Sequence, residues 1–537
     1  MTRVLIIHAI CLLTALVSSA APAPVGLVSR AGDRSVVLHW DNTLEPGLSA
    51  YNVYCSLTKG GPFVLLNTTG PLTSAGYCRL GKGVINGQTN FYQITAITRN
   101  SQETAPSLTV AATPHEFADD NEFLDYVQQV NFDYFWYLAD PKNGLVPDRT
   151  MPGAACSIAA VGFGLTSIAI AIDHGWITRE QGTERVLATL QTFLNSAQGT
   201  NTSGLIGYRG WFYHFLNMKS AARAGGELSS IDTGLLLAGI LDAKQYFNHT
   251  NTEEKAIRSA ADAIFSRVDW QWMSRGTNLL SMGWFPDSGF IGSQWIGYNE
   301  AMILIVLGLG ASNNPLPPSA WEAWSSRYKW GTHYGLSYLP FAPLFGHQYS
   351  HCWIDFRNIG DPFMRKHNLT YFENSRRATL AQRSYCIANP SRHPGYTGLV
   401  WGLTACDGPP GYSAHGAPPA EGDDGTIAPT AAGGSIPFTP EYSIPTLRYF
   451  YDNYRERMWT AFGFRDAFNP GAHWVAADEL GIDQGPIVIM IENHRTQRVW
   501  QRFMQNEIIQ RGLKRAGFVP LEFKTASQDQ PLSGSSR

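Results

Sequence analysis

The spacing of apolar residues changes near residue 116 of this 537-residue chain. From about residue 120, apolar side chains recur every three to four positions in segments such as "FLDYVQQVNFDYFWYLAD", "SIAAVGFGLTSIAIAIDHG" and "DTGLLLAGILDAKQYF". This period is typical of α-helices, and helices that are apolar all round belong to the interior of a large domain. About a dozen such segments predict a mostly α domain over residues 120–524. Six helix pairs would close an (α/α)6 barrel.

Residues 24–115 have a different period. The short segments "SVVLHW", "AYNVYCS", "FYQITAIT" and "SLTVAAT" alternate apolar and polar residues between turns, which predicts a small all-β antiparallel sandwich. The stretch resembles a fibronectin type III domain, with Trp40 at the end of its second strand and Tyr92 on its sixth. The matching residues are structural, so the resemblance implies a spacer or docking module.

The two ends of the chain are predicted to lie outside both domains. Residues 1–21 have the pattern of a secretory signal, with Arg3, an apolar run and the small-residue site "SSAAPA". No later segment is apolar for long enough to cross a bilayer. We therefore expect a secreted or periplasmic protein without a membrane span. Residues 525–537 are poor in apolar side chains and are predicted to be disordered.

Composition excludes several classes of protein. The net charge is −3 and no long Lys/Arg run occurs, so nucleic-acid binding is not expected. No G-x-S-x-G, Walker or G-x-G-x-x-G pattern supports an esterase, kinase or dehydrogenase. Cysteine spacings match no zinc motif. Cys55 and Cys78 could pair, although free thiols fit equally well.

The stretch "GGELSSIDTGLLLAGIL" combines two acids with the start of a helix. Ser229 and Asp232 fit a capping box, in which the hydroxyl caps the helix and the acid reaches back to the backbone. Asp232 is therefore interpreted mainly as a cap. Glu227 precedes the cap after two glycines, adds nothing to the helix and needs another explanation.

Other polar loop residues have structural interpretations when they are taken one at a time. Asp407 begins a good turn with Gly408. Asp483 could cap the last long helix. Glu300 could anchor the helix that follows it.

His347 and His351 are four residues apart and could share a helix face as metal ligands. The H-E-x-x-H pattern is absent, so hydrogen-bonded histidines are the favoured interpretation and we expect neither a metal nor a cofactor. Asp148 and Arg149 could form a plain ion pair.

Taken together, these loop residues point to carbohydrate chemistry. Cleavage of a glycosidic bond needs a protonated acid and a carboxylate that activates water or attacks. Acid-rich and aromatic loops on a helical domain supply such groups. The stretch "GYRGWFYHF" keeps a polysaccharide lyase open as an alternative.

Residues from about 120 to 520 resemble the glycoamylase-like domain family, which includes bacterial endo-β-1,2-glucanases. The resemblance is carried by long blocks in the family's order, among them "ADPKNGLVPDR", "ELSSIDTGLLLAGIL", "WIGYNEAMILIVLGLG", "PLFGHQYSHCWIDFRNIGD", "WGLTACDGPPGY", "GFRDAFNP" and "GIDQGPIVIMIEN". It implies an (α/α)6 barrel, a β-glucan substrate and hydrolysis with inversion, and it favours endo-cleavage of β-1,2-glucan.

The same resemblance implies roles for individual residues. Glu227 corresponds to the leading candidate for the general acid, and Asp407 to the candidate base. The proton is expected to pass through a water or a substrate hydroxyl. The residues implied to hold the sugars are Asp148, Arg149, Tyr213, Trp295, Glu300, His347, Gln348, Asp355, Arg357, Trp401 and Asp483.

Other functions remain open at this point. The family's blocks are shared by enzymes of different linkage and by transglycosylases, so a glycosidase or transglycosylase for another linkage is one alternative. A non-catalytic glycan-binding protein is another, although such a protein would need neither acid. A monomer whose partner is a glucan or oligosaccharide is expected.

Overall fold

The computed structural model describes residues 22–41, 48–73 and 76–521. The predicted signal, residues 1–21, and the predicted tail, residues 525–537, lie outside this range. The chain divides into two compact units, Met1–Glu116 and Phe117–Arg537. Among the helices of the described residues, none is both long enough and apolar enough to span a bilayer.

The first unit contains two antiparallel sheets with the strand orders β1-β2-β5 and β4-β3-β6-β7. Trp40, Tyr51 and Tyr92 are buried in its apolar core, and the rings of Trp40 and Tyr51 meet edge to face at 5.2 Å. Cys55 and Cys78 are free thiols. Its strands are β1 Val28–Gly32, β2 Ser35–His39, β3 Leu48–Ser56, β4 Val64–Leu65, β5 Tyr77–Leu80, β6 Asn90–Thr98 and β7 Val110–Ala112.

The second unit is rich in helices. Its α-helices within the described residues are α1 Asp120–Tyr137, α2 Ile158–Asp173, α3 Arg179–Asn195, α4 Ser230–Tyr246, α5 Thr252–Ser266, α6 Trp270–Met273, α7 Met302–Gly310, α8 Ser319–Ser325, α9 Pro362–Lys366, α10 Tyr371–Ala388, α11 Pro429–Gly433, α12 Pro440–Met458, α13 Gly481–Arg495, α14 Arg498–Phe503 and α15 Glu507–Arg515. Two 3-10 helices cover Leu344–His347 and Tyr349–Cys352.

Short antiparallel strands connect these helices. They are β8 Cys156–Ser157, β9 Gly207–Tyr208, β10 Trp211–Tyr213, β11 Phe215–Leu216, β12 Leu228–Ser229, β13 Gly283–Phe285, β14 Gly289–Phe290, β15 Gly331–His333, β16 Leu336–Tyr338, β17 Ile359–Gly360, β18 Ala405–Gly408, β19 Gly411–Ala414, β20 Trp459–Thr460, β21 Gly463–Phe464, β22 Phe468–Asn469, β23 Trp474–Val475 and β24 Val519–Pro520.

Four helices, α2, α4, α7 and α13, form the interior of the second unit. Nearly all of their residues are buried, because their sequences are apolar on every face. Helix α2 packs against both α4 and α13, and α4 packs against α7. Serine side chains cap two of these helices: Ser157 accepts a hydrogen bond from Ala160 N, and Ser229 accepts one from Asp232 N.

Glycines allow α2 and α4 to approach each other closely. A Cβ atom added to Gly162 would lie 2.3 Å from the carbonyl oxygen of Leu235, and one added to Gly239 would lie 2.0 Å from that of Gly162. Backbone atoms cannot move aside as a flexible side chain can. The contact therefore requires glycine at both positions.

The segment "DQGPIVIMIENHRTQRVWQRFM" has one continuous helical period, yet it forms two helices. The break lies at Gln497, whose φ of 62° is left-handed. Asp483 lies in the first turn of α13, and Leu480 rather than Asp483 occupies the cap position.

Two substitutions in α2 test the helix contact. Gly162→Ala should lower the stability by about 1–3 kcal/mol, because the new methyl group meets backbone. Gly164→Ala should change it by less than about 1 kcal/mol, because its methyl group would meet Cδ1 of Phe135 at 3.1 Å, and a ring can shift. Thermal unfolding at one scan rate compares the two. Equal melting temperatures would contradict the backbone contact.

Candidate active site

A cavity of about 460 Å³ lies where the interior helices begin. It is lined by Ala159 of α2, Asp232 of α4, Ile482 of α13 and Glu300, which comes shortly before α7. The other lining residues are Asp148, Arg149, His214, Phe215, Ile231, Leu235, Phe345, Tyr349, Ala405, Tyr412 and Leu480. Helix N-termini carry partial positive charge, so this position favours the carboxylates collected there.

His214 lies between two carboxylates at this cavity. Its Nδ1 is 3.1 Å from Oε1 of Glu227, and its Nε2 is 3.6 Å from Oδ1 of Asp232. The ring is stacked on Phe215 with 3.9 Å between centroids. Strand pairing explains the contact: Tyr213 lies opposite Leu228, and the next residues along, His214 and Glu227, are joined by a backbone hydrogen bond of 2.9 Å.

The opposite charges of His214 and its neighbouring carboxylates stabilise each other. Burial disfavours the charged imidazole, but Asp232, Glu227 and Asp148 outweigh it and raise the pKa of His214 to about 9. The hydrogen bond to His214 lowers the pKa of Glu227. The imidazole therefore carries a proton near neutral pH while Glu227 is ionised.

One nitrogen and two carboxylate oxygens of His214, Glu227 and Asp232 lie within 4.8 Å of one another. Such atoms are also typical ligands of divalent cations. The raised pKa of His214 also makes these three side chains an ion-paired group in which the imidazolium lies between the two carboxylates.

Asp232 is more than a helix cap. Ser229 caps α4 as predicted, but the Asp232 carboxylate does not reach back to the backbone; it accepts a hydrogen bond of 2.5 Å from the Ser229 hydroxyl. Its other oxygen faces His214. The Ser229 half of the predicted capping box is therefore present. In place of the other half, the Asp232 carboxylate lines the cavity and faces His214.

Arg149 gathers a second group of acids. Its Nη1 is 3.1 Å from Oδ2 of Asp407 and 3.8 Å from Oδ2 of Asp478, and its Nε donates to Oδ2 of Asp148 at 3.2 Å. Burial raises the pKa of Asp148 even though Arg149 opposes this shift. The guanidinium therefore offsets only part of the negative charge on this side of the cavity.

Asp407 lies on a hairpin formed by β18 and β19. Residues 409–410 make the turn that the sequence predicts, and Asp407 pairs with Tyr412 across the strands. Tyr412 lines the cavity and is 48% exposed, so a bound molecule can reach its ring. The hairpin thus brings a carboxylate and an aromatic ring to the same edge of the cavity.

Glu300 is the third acid that lines the cavity. Its Oε2 is inaccessible to solvent and has no hydrogen-bonding partner. Burial, with a smaller contribution from Asp232, raises the pKa of Glu300 to about 7. Near neutral pH this side chain is therefore partly protonated and able to donate a hydrogen bond to a bound hydroxyl.

Five of the predicted site residues come together here. Asp148, Arg149 and Glu300 line the cavity. Glu227 and Asp407 are outside the lining set, but each contacts a residue within it, His214 and Arg149 respectively.

The predicted aromatic residues lie elsewhere. Tyr213 is fully buried, with the guanidinium of Arg223 stacked 4.9 Å from its ring centre. Trp295 donates to the hydroxyl of Ser230 at 2.8 Å, and Trp401 is fully buried. These rings support the loops around the cavity from inside the domain, and a contact with sugar stays a prediction for each of them.

The remaining predicted polar residues have protein partners. His347 Nδ1 is 3.1 Å from the Tyr298 hydroxyl. Gln348 donates to the carbonyl oxygen of Ala431 at 2.8 Å. Asp355 and Arg357 form an ion pair of 2.7 Å, and Asp483 is buried. Their binding roles stay predictions.

His351 supports the hydrogen-bonding interpretation of the two histidines. Its Nε2 is 3.1 Å from the hydroxyl of Ser375. Burial lowers the pKa of both His347 and His351 to about 3, so both rings are neutral.

Several residues that the structure brings to the site have no role predicted from the sequence. They are His214, Phe345, Tyr349, Tyr412 and Asp466. His214 follows Tyr213 in the segment "GYRGWFYHF", and Asp466 lies within the segment "GFRDAFNP". These segments therefore indicated the region of each residue but not its role.

Known proteins share this architecture. The family model "Glycoamylase: Putative glucoamylase" matches residues 292–507. An exo β-1,2-glucooligosaccharide sophorohydrolase (non-reducing end) of Parabacteroides distasonis is 33% identical over 530 residues, covering 93% of this chain and 71% of the relative.

Solved structures agree with this match. The crystal structure of a β-1,2-glucanase from Parabacteroides distasonis has a TM-score of 0.80 and 30% identity, over 93% of this chain and 73% of that one. An endo-β-1,2-glucanase from Chitinophaga pinensis, in complex with sophorotriose and glucose, has a TM-score of 0.68 and 29% identity, over 75% of this chain and 99% of that one. The chain therefore belongs to the glycoamylase-like family together with these bacterial enzymes.

Proposed function

We propose that this protein is a glycoside hydrolase that cleaves β-1,2-glucan. The observation that carries the proposal is the cavity itself, whose lining residues His214 and Arg149 form a carboxylate–imidazolium pair with Glu227 and a carboxylate–guanidinium pair with Asp407. Hydrolysis of a glycosidic bond needs both a proton donor and a carboxylate that activates water. Family relatives that act on β-1,2-linked glucose supply the choice of linkage.

The proposal includes the architecture and the location. We infer that the interior helices α2, α4, α7 and α13 belong to the inner ring of an (α/α)6 barrel, because each is apolar all round. The first unit, with its two antiparallel sheets, fits a fibronectin type III-like domain. The signal-like residues 1–21 support export to the periplasm or the medium.

The proton would come from the Glu227–His214 pair. In the free protein this proton lies on the imidazole, because the pKa of His214 is raised to about 9 and that of Glu227 is lowered. As the glycosidic bond breaks, the leaving oxygen gains basicity. The proton then moves from Nδ1 of His214 to Glu227 and from Glu227 to the leaving oxygen, directly or through a water or a sugar hydroxyl, which leaves His214 neutral and Glu227 ionised again.

Asp407 would act as the base. Its ion pair with Arg149 holds the carboxylate next to the cavity, and activation of a water molecule requires its ionised form. A water that attacks from the face opposite the leaving group would invert the anomeric carbon. Inversion is therefore part of the proposal.

The position of the cleaved bond along the glucan stays a prediction. The family resemblance favours endo-cleavage. The relative that matches over 93% of the chain is described as exo-acting, and the one from Chitinophaga pinensis as endo-acting. Early products distinguish the two modes, since endo-cleavage releases oligosaccharides of mixed length and exo-cleavage releases one size from the start.

Incubation with linear β-1,2-glucan tests the proposed substrate. We expect short oligosaccharides on thin-layer chromatography from this glucan and none from β-1,3-glucan, β-1,4-glucan, arabinan or an acidic polysaccharide. Cleavage of only one of the other polymers would support a glycoside hydrolase but would reject β-1,2-glucan as its substrate. A product that absorbs ultraviolet light would instead identify a lyase, and binding without any product would identify a glycan-binding protein.

Neutral isosteres test the two proposed catalytic carboxylates. Glu227→Gln and Asp407→Asn should each lower kcat by about 10²- to 10⁴-fold, because each removes one half of the acid–base chemistry. The controls Glu322→Gln and Asp452→Asn make the same chemical changes on exposed residues of α8 and α12 and should retain activity. Full activity of Glu227→Gln with unchanged folding would exclude Glu227 as the acid.

The pH–rate profile tests the role of His214. The wild-type profile should be bell-shaped, and its alkaline limb should reflect the raised pKa of His214, about 9. In His214→Gln the amide can still donate to Glu227 but carries no transferable proton. The alkaline limb should therefore move to lower pH, toward the range of an ordinary glutamic acid.

A matched control is His367→Gln, which alters an exposed histidine. Its profile should coincide with that of the wild type. If the profile of His214→Gln also coincided with it, the transferred proton would not be stored on His214.

A further inference from the structure

Two further carboxyl groups, those of Asp466 and Asp483, are buried near Asp407. Asp466 is 2% exposed and Asp483 is 3% exposed. Asp466 follows strand β21, whereas Asp483 belongs to the first turn of α13. The backbone N–H of Asp407 donates to Oδ2 of Asp466 at 2.6 Å. The pair is thus joined directly to the residue proposed as the base.

The two carboxyl groups act directly on each other. Oδ1 of Asp466 and Oδ2 of Asp483 are inaccessible to solvent, and neither atom has an N–H or O–H partner. Two like charges in contact cannot both persist in a buried place, and a proton between two carboxylates removes the repulsion and forms a hydrogen bond. Burial together with these two unpartnered oxygens therefore favours one proton for the two residues.

The direction of the bond follows from the neighbouring contacts. Asp466 accepts the short hydrogen bond from Asp407 N, which favours its ionised form. Asp483 therefore carries the proton and donates it to Asp466. Burial raises the pKa of both groups, and Asp466 raises that of Asp483 further.

The surroundings limit how this charge can be balanced. Cys406 of β18 forms a small apolar cluster with Ala428 and Ala467, and Asp466 and Asp483 both act on its thiol. Arg149 is the cation that acts on Asp466. The titratable groups that face the pair from neighbouring elements are Asp148, Arg149, Tyr349, Cys406, Asp407 and Tyr412.

We propose that Asp466 and Asp483 share a single proton and together position Asp407 at the cavity. This inference rests on the proposed role of Asp407 as the base. Asp466 and Asp483 are positioning residues, since they act through the backbone of Asp407 and neither lines the cavity. With the proton in place, the pair carries one negative charge and supports the β18 end of the hairpin. Without it, two buried charges would repel each other directly beneath the base.

The shared proton links stability to pH. In the unfolded chain both groups ionise near the ordinary aspartate value, whereas the folded protein retains a proton because the pKa values are raised. Folding therefore takes up a proton at neutral pH. The contribution of the pair to stability is complete at low pH and is lost as the pH rises through the folded-state pKa range.

Two variants of Asp483 test the proposal. Asp483→Asn retains an N–H donor toward Asp466 and needs no shared proton, so its stability tests whether that proton exists. Its melting temperature should fall less steeply than that of the wild type between pH 5 and pH 9. Asp483→Leu has no donor, so kcat should fall by about 10- to 100-fold, with KM within about twofold, because Asp407 loses its support.

The results separate this role from a general effect of a buried acid. Asp361→Asn changes another buried carboxyl, whose Oδ2 accepts from Trp321 and Tyr371, and it should leave kcat and KM unchanged. Parallel pH dependences of melting for wild type and Asp483→Asn would overturn the shared proton. Wild-type kcat in Asp483→Leu would overturn the positioning role.

Failure of the proposed function is distinguishable from failure of this inference. If the wild type cleaved no β-1,2-glucan, the proposed function would be rejected. The melting curves of the wild type and Asp483→Asn would still show whether the proton is shared. If Asp483→Leu did not fold, the comparison of Asp483→Asn with the wild type would still decide whether the proton exists. An active wild type with unaffected variants would retain the function and reject the pair.

Discussion

The contact between α2 and α4 at Gly162 and Gly239 sets the geometry on which the site depends. Because neither residue has a Cβ, the two backbones meet at a distance that no other residue pair allows. Both helices then begin at the cavity, where Ala159 and Asp232 occupy their first turns. His214 lies between β10, which pairs with the strand before α4, and β11, which pairs with the strand before α2, so the spacing of the two helices bears on the segments on both sides of this residue.

Several acidic side chains can lie close together at this cavity because each of the two groups contains a cation. In one group His214 lies between Glu227 and Asp232, and in the other Arg149 contacts Asp407. Both are partly buried, where opposite charges attract more strongly than in water. Arg149 stays charged over the whole physiological range, whereas an imidazole can release its proton. The Arg149–Asp407 pair is therefore suited to hold a base, and the His214–Glu227 pair is suited to supply a proton.

The sequence predicted the elements well and the contacts less well. Helical periods marked α2 and α4 correctly, because helices buried on every side have unmistakable composition. Family blocks marked Glu300, which does line the cavity. Aromatic residues were harder to place, since a large interior and a sugar cleft both need them; Tyr213 and Trp401 proved to be buried. The partners of His214 depend on strand register, and such long-range pairing has no local signal in the chain.

The proposed acid and the proposed base both depend on a proton held by neighbouring residues. Glu227 is ionised while His214 holds its proton, and the backbone of Asp407 is bonded to Asp466, which shares the proton proposed for Asp483. Each carboxylate is therefore coupled to the protonation of its neighbour. Removal of either member changes the charge of the other, so the losses from single substitutions within a pair should not add in the double variant. The two groups also interact with each other, since Asp148, which contacts Arg149, acts on His214, so substitutions in different groups should depart from additivity by a smaller amount.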